Sequence, residues 1–280
     1  MFHVRAMSAA DSGFAVRLTD QMNWDLTRAD FELMMELEPA GCFVLLSDSK
    51  RIGVATTARF GKAAWFGNFI VDEAYRGKGA GSLLIRHALA YLNSKHVETV
   101  GLFSYMHTTS FYENIGFKRD SDFVVLRGNA TAYETKGSVE QAGESDVPAV
   151  ADFDRRCFPG DRERLLRALI LNPRNRCLIS VEDRQMLGYL VAKVYDGTAE
   201  LGPLVCREGH NQTAVDLIQT CLTNLEDAAV SLCIAKKHKA VVAYLEESGF
   251  REDFCVARMF RGRTPPVSEC MYGAESLERG

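Results

Sequence analysis

The run VDEAYRGKGAGSLLIRHAL, Val71 to Leu89, decides the fold. It leaves an apolar, strand-like end and passes through Arg76-Gly77-Lys78-Gly79-Ala80-Gly81. It then enters a segment in which Leu84, Ala88 and Leu92 recur every four residues, one buried helical face. Successive backbone N–H groups at such a junction form a nest that favours anions. Glycine there adopts positive φ and lets a ligand approach the backbone. The pattern predicts a phosphate cradle. Two phosphate loops do not fit it. The nucleoside-triphosphate loop needs lysine and a hydroxyl residue after its last glycine, and Gly81 is followed directly by Ser82. The dinucleotide fingerprint needs G-x-G-x-x-G and an acidic residue ending the next strand; here the spacing is G-x-G-x-G and that strand ends at Phe103-Ser104.

Before the loop, helices are expected over about Ser8 to Met22 and Arg28 to Leu37. The strands CFVLLSD, RIGVATTARF and AAWFGNFIV follow. After its helix come the strand VETVGLF, a short helix TTSFYENI closed by Gly116, and the strand DFVVLRG. Residues 128–137 lose periodicity and read as a linker. The order then repeats. Helices are expected in DVPAVADFDRRCF and RERLLRALIL, then the strands CLISVED, MLGYLVAKVYDG and AELGPLVC. The helix TAVDLIQTCLTNL, the strand AVSLCIA, the helix AVVAYLEESGF and the strand FCVARMF complete it. Gly53 and Gly67 are spaced like Gly188 and Gly202, and FYENIGF matches YLEESGF. The economical explanation is a duplication: residues 1–129, a linker at 130–137, and a copy at 138–280.

Arg76-x-x-Gly79-x-Gly81 after a strand ending in Val71, with SFYENIGF after the next strand, resembles the coenzyme A loop of the GCN5-related N-acetyltransferases (GNAT). The early NWDLTRADF, CFPGDRERLL, ELGPLV and the late ARM resemble tandem-domain members. The resemblance implies an α/β (α+β) protein of two tandem folds, each a mixed, largely antiparallel central sheet flanked by helices. It implies acetyl-CoA as co-substrate, held by the backbone of Phe69, Ile70 and Val71 and by Arg76, Gly77, Lys78, Gly79, Ala80, Gly81 and Ser82. One N–H near Phe69 would polarise the thioester carbonyl. Tyr112 matches the tyrosine that protonates the leaving sulfur. The family often has asparagine seven residues before it; here Tyr105 stands there.

Candidate acceptor contacts are Asn23 and Trp24 between the first two helices, Asn68 on the strand before the loop, His107, and Asp161. Trp24, Asn68, His107 and Asp161 each have a plain structural alternative: core tryptophan, polar strand residue, loop histidine, surface helix charge. Asp72 and Glu73 read as solvated loop charge, so water chains are an alternative to a single catalytic base. Asp154 and Arg162, and after them Lys193 and Arg258, are further candidates to reach the first domain's cleft. In the copy, CREGHNQTAV keeps one loop glycine, Gly209, and Leu245 replaces Tyr112. The copy is therefore expected to be degenerate, covering the acceptor site or forming an interface.

The chain has 280 residues, 47% hydrophobic and 25% charged, an ordinary globular composition. Its net charge of −4, without basic runs, disfavours nucleic acid. No apolar stretch is long enough to span a bilayer, and charges near the N-terminus oppose a signal peptide. A cytoplasmic protein, monomer or homodimer, is expected. Its 8 cysteines form no C-x-x-C pair and read as buried or incidental thiols without a metal. The leading expectation is direct acetyl transfer to a primary amine, of a small molecule before a protein, in a ternary complex. The alternative is a non-catalytic acyl-CoA sensor or interaction scaffold.

Overall fold

A computed structural model of the chain describes residues 1–134, 139–225, 227–265 and 268–280. The expected linker's residues 135–137 lie outside the described residues. Packing divides the chain into two compact units, Met1–Leu102 with Arg279, and Phe103–Glu278 with Gly280.

The first unit starts with β1 (Phe2–Ala6), α1 (Ser12–Asp20) and α2 (Arg28–Leu37), followed by β2 (Cys42–Ser47), β3 (Lys50–Phe60) and β4 (Ala63–Val71). Then come α3 (Ala80–Ser94) and β5, which starts at Thr99 and runs to Tyr105. The pairs β1–β2, β2–β3 and β3–β4 are antiparallel, whereas β4–β5 is parallel. The parallel pair needs a crossover, and α3 is that crossover. Thr27 caps α2: Asp30 N–H donates to its hydroxyl at 3.4 Å, and its own N–H donates to Asp30 Oδ2 at 2.8 Å. On α3, Leu84, Ile85, Ala88 and Leu92 are buried, the face its spacing predicted. Asp11 is fully buried and accepts from both Arg5 and Arg51. The Arg5 hydrogen bonds hold its carboxyl well below the usual carboxylate range.

The second unit holds α4 (Thr109–Glu113), β6 (Lys118–Asn129), β7 (Val139–Gln141), α5 (Val147–Asp154) and α6 (Glu163–Leu171). Next come β8 (Arg176–Glu182), β9 (Gln185–Val194), β10 (Thr198–Cys206), α7 (Asn211–Thr223) and β11 (Ala229–Ala235). The last elements are α8 (Lys239–Glu247), β12 (Arg251–Gly262) and β13 (Met271–Gly273). Its strand order is β12-β6-β11-β13-β10-β9-β8-β7, antiparallel except where β10 also pairs with β11. Each unit is thus a mixed, mostly antiparallel sheet flanked by helices.

The sequence repeat and the packing divide the chain at different places. β6 belongs to the first repeat, yet it lies between β11 and β12 of the second. Strand pairing is a long-range choice that local periodicity does not carry. β1, β7 and β13, of three to five residues, were not anticipated; they are too short for a period to register.

Candidate functional site

The end of β4 leaves its regular ladder twice. Toward β5, pairing runs from Ala63↔Thr99 to Trp65↔Gly101 and stops, while β4 continues to Val71. Toward β3, the register steps from Thr56↔Gly67 to Val54↔Ile70. Asn68 and Phe69 therefore face Ala55 alone, which makes a bulge, and Asn68 takes φ 48°. Bulges re-aim side chains, and this one precedes the glycine loop by a few residues.

The loop's glycines have two different reasons. Gly77 and Gly79 sit at φ 71° and 80°, and a Cβ on either would meet nothing within 4 Å. Backbone conformation, not lack of room, selects glycine there. Arg76 is extended and Gly79 left-handed at the N-cap of α3, so the chain turns sharply into the helix. Gly81 has no positive φ; a Cβ there would stand 3.3 Å from Phe69 Cζ. It lets α3 pack against β4. Arg76 Nε donates to Val71 O at 2.9 Å, and Lys78 Nζ to Ala74 O at 2.8 Å. Asp72 accepts from Ala74 N–H at 3.0 Å. The ten expected cofactor contacts from Phe69 to Ser82 all lie in the first unit, on the end of β4, the glycine loop and the start of α3; Ile70, Val71 and Ala80 are buried. Their polar character suits a diphosphate: two cations and a helix N-terminus.

The second unit contains the same construction with its gap filled. Gly188 pairs with Cys206 as Gly53 pairs with Val71, so Leu204 stands where Phe69 stands. β10 and β11 pair in parallel from Thr198↔Ala229 to Leu201↔Leu232. Beyond that point β13 is inserted: Gly273 pairs with both Leu204 and Ile234, and Met271 with Val205. The segment is anchored where α7 begins, by Tyr272 Oη to Asn211 Oδ1 at 3.0 Å and by Tyr272 stacked on His238.

Tyr112 lies on α4 in the second unit and is 9% exposed. Phe117 N–H donates to Tyr112 O at 3.0 Å, and Gly116 closes the turn at φ 91°. YLEESGF repeats this backbone, with Phe250 N–H to Leu245 O at 3.0 Å and Gly249 at φ 94°. Burial pushes the Tyr112 phenol up, so it holds its proton through the neutral range.

The acceptor candidates are scattered. Asn23, at φ 53°, and the half-buried Trp24 form the α1–α2 turn, where Trp24 N–H donates to Thr19 O at 3.4 Å. Asn68 is 5% exposed and donates from Nδ2 to Thr56 Oγ1 at 3.1 Å. His107 is exposed in the second unit and stacks on Tyr105, which also contacts Phe254. Asp161 is exposed there too, accepting from Glu163 N–H at 3.0 Å and facing Arg155 at 3.4 Å. Asp154 and Arg162 form a buried ion pair in the second unit, joined by Tyr189 Oη at 2.6 Å from Asp154. Lys193 is buried against Glu275 and Glu200, and Arg258 meets Asp120 at 2.7 Å. These four serve that unit's interior. Sequence reading missed Thr56, which fixes the Asn68 carboxamide; its signal, a threonine pair in a strand, is common to many core strands.

Two family models match the chain, both described as acetyltransferase (GNAT) domains: one over residues 38–119, one over 150–273. No curated protein matches it. Among solved structures, a putative acetyltransferase from Pyrococcus horikoshii aligns with TM-score 0.84 at 20% identity, covering 100% of this chain and 96% of the other. A GCN5-related N-acetyltransferase from Sphaerobacter thermophilus gives 0.65 at 17%, covering 95% and 97%. A tandem GNAT protein from the clavulanic acid biosynthesis pathway gives 0.65 at 13%, covering 95% and 100%. With a GNAT model matching each repeat, and with full-length solved structures sharing the fold, a tandem GNAT protein among them, the chain belongs to the GCN5-related N-acetyltransferase superfamily as a tandem GNAT protein.

Proposed function

We propose that the chain is an acetyl-CoA-dependent N-acetyltransferase that acetylates a primary amine of a small molecule by direct transfer. The observation that carries this is the run of β4 from its bulge to the loop at Gly77–Gly79. It offers strand backbone for an extended arm and then the N-terminus of α3 for a diphosphate, in that order. β13 supports the reading by example. At the positions matching Phe69 and Ile70, the copy pairs with an extended segment of the chain itself.

Acetyl-CoA supplies the acetyl group as a thioester. The neutral amine attacks the carbonyl carbon, a C–N bond forms and the C–S bond breaks. An N–H of the bulge near Phe69 receives the developing oxyanion. Tyr112, assigned by its place in SFYENIGF, gives its proton to the departing thiolate; a phenol kept protonated by burial suits an acid. The proton released from the amine leaves through water. Burial pushes the thiols of Cys42, Cys177 and Cys221 up to about 12, which unsuits these three as acyl-accepting nucleophiles.

The test is calorimetric titration with acetyl-CoA, followed by amine-dependent thiol release. Binding is expected at one site per chain. Tyr112→Phe is expected to lower kcat about 100-fold while leaving that binding unchanged. A chain that binds no acetyl-CoA is no transferase of this kind, and undiminished turnover by Tyr112→Phe removes the tyrosine from the mechanism.

A further inference from the structure

Two cysteines far apart in sequence meet where the inserted strand of the second unit begins. Cys270 directly precedes β13, and its carbonyl accepts from Cys206 N–H at 3.0 Å, which fixes its backbone beside β10. Cys270 is half-buried, so a small reagent in solution can reach it. Cys157 is buried in the turn between α5 and α6. There Cys157 N–H and Phe158 N–H both donate to Asp154 O at 2.8 Å.

Arg162 presses this turn against β13. Its guanidinium pairs with Asp154 at 2.6 Å, lies over the Phe158 ring at 3.9 Å and reaches Met271 Sδ at 4.0 Å. Met271 is the residue after Cys270. At this junction the Cys157 and Cys270 side chains share a hydrogen bond. Sulfurs in hydrogen-bond contact reach bonding distance by a short approach of the side chains. Cys206 is opposite Cys270 by its backbone, yet its sulfur is turned to the other neighbour of β10. A Cβ on Gly188 of β9 would stand 2.6 Å from Cys206 Sγ. Burial, and after it the bond to Cys270, pushes the Cys157 thiol up. Cys157 therefore holds its proton and follows, while the accessible Cys270 reacts first.

We infer that Cys157 and Cys270 form a reversible disulfide that ties β13 to the α5–α6 turn when the chain meets hydrogen peroxide. The Cys270 sulfur attacks one peroxide oxygen, the O–O bond breaks, and a sulfenic acid and one water result. The Cys157 sulfur then attacks the Cys270 sulfur. The S–S bond forms, the S–O bond breaks, and hydroxide leaves with the Cys157 proton as a second water. Two thiols are oxidised and one peroxide is reduced to two waters. The bond closes a long loop, the kind that gains most from cross-linking. It also anchors the segment that continues to Ala274, whose N–H donates to Cys233 O at 2.9 Å.

The experiment treats the reduced full-length chain with hydrogen peroxide, quenches it in acid, alkylates it in denaturant and maps the peptides by mass. A Cys157–Cys270 cross-link that dithiothreitol reverses is expected. The oxidised chain is expected to gain at least about 5 °C in Tm. Its Ala274 amide is expected to exchange at least tenfold more slowly. Cys157→Ala is expected to leave Cys270 as a sulfenic acid, trapped by dimedone, with neither gain. Cys270→Ser, changed at a half-buried position, is expected to fold and to leave Cys157 open to alkylation. A Cys157 still alkylated in full after Cys270 has been oxidised overturns the assignment, as does a Cys206–Cys270 link in its place. A Cys157–Cys270 link that forms only in urea, or that lowers Tm, belongs to the unfolded chain and overturns it too.

Discussion

Gly79 and Gly81, two residues apart, are glycine for opposite reasons, and substitution separates them. At Gly79 there is room for a side chain but φ is 80°. Alanine in that conformation costs about 1–2 kcal/mol, and the loop relieves it by turning the peptide. Gly79→Ala is expected to weaken acetyl-CoA at least tenfold, with a drop in Tm of only a few degrees. At Gly81 the backbone is ordinary and the obstacle is Phe69 Cζ at 3.3 Å. A ring edge shifts by a few tenths of an ångström, and better helix propensity offsets the strain by up to about 1 kcal/mol. Gly81→Ala is expected to leave Tm near its original value and affinity within threefold. Titration calorimetry with thermal melts checks the pair; equal losses of affinity would mean the left-handed turn is not what holds the ligand. The three glycines were legible in the sequence as a loop opening a helix. Their division of labour was not, because sequence spacing does not distinguish a forbidden φ from a crowded Cβ.

β13 shows what an element of three residues does when two strands diverge. Its Gly273 bonds into the gap between β10 and β11, and Ala274 N–H donates to Cys233 O at 2.9 Å. Gly202 makes room for the chain that follows: a Cβ there would stand 1.9 Å from Ala274 O. That obstacle is backbone, so Gly202→Val must displace the segment or bend β10, and a loss of about 3 kcal/mol is expected. Hydrogen exchange locates the damage: the Ala274 amide should lose protection first, and uniform loss across the second unit would argue against a displaced segment. With the gap filled, the second unit has no unpaired strand backbone there to offer an extended arm. This is the physical reason to expect one acetyl-CoA per chain. The sequence indicated a weakened second site from its lost glycines and from Leu245 in place of Tyr112. It did not indicate the occupant, since MYG is too short for any period. Long elements such as α3 and α7 were legible because their buried faces repeat over several turns.

At the scale of the molecule, duplication in sequence does not give two halves that fold apart. β6 is the last strand of the first repeat, yet it pairs with β11 from Phe123↔Ala235 to Asn129↔Ala229. It pairs on its other edge with β12. Phe123, Val124, Val125 and Leu126 are all buried, and Gly128 lies against the Phe250 ring. Four such side chains, at about 2 kcal/mol each, contribute about 8 kcal/mol, the size of a whole domain's stability. Residues 138–280 alone would lack this strand and leave β11 and β12 with exposed edges, which invite aggregation. The fragment is expected to be unfolded or aggregated. Adding a synthetic peptide of residues 118–129 during refolding should restore a cooperative thermal transition. The peptide with Val124 and Leu126 changed to aspartate should not, because it places two charges in the core formed with Phe250 and Val230. A fragment 138–280 that melts cooperatively without peptide would mean that the second repeat carries its own complete core, and that β6 only caps an edge already stable without it.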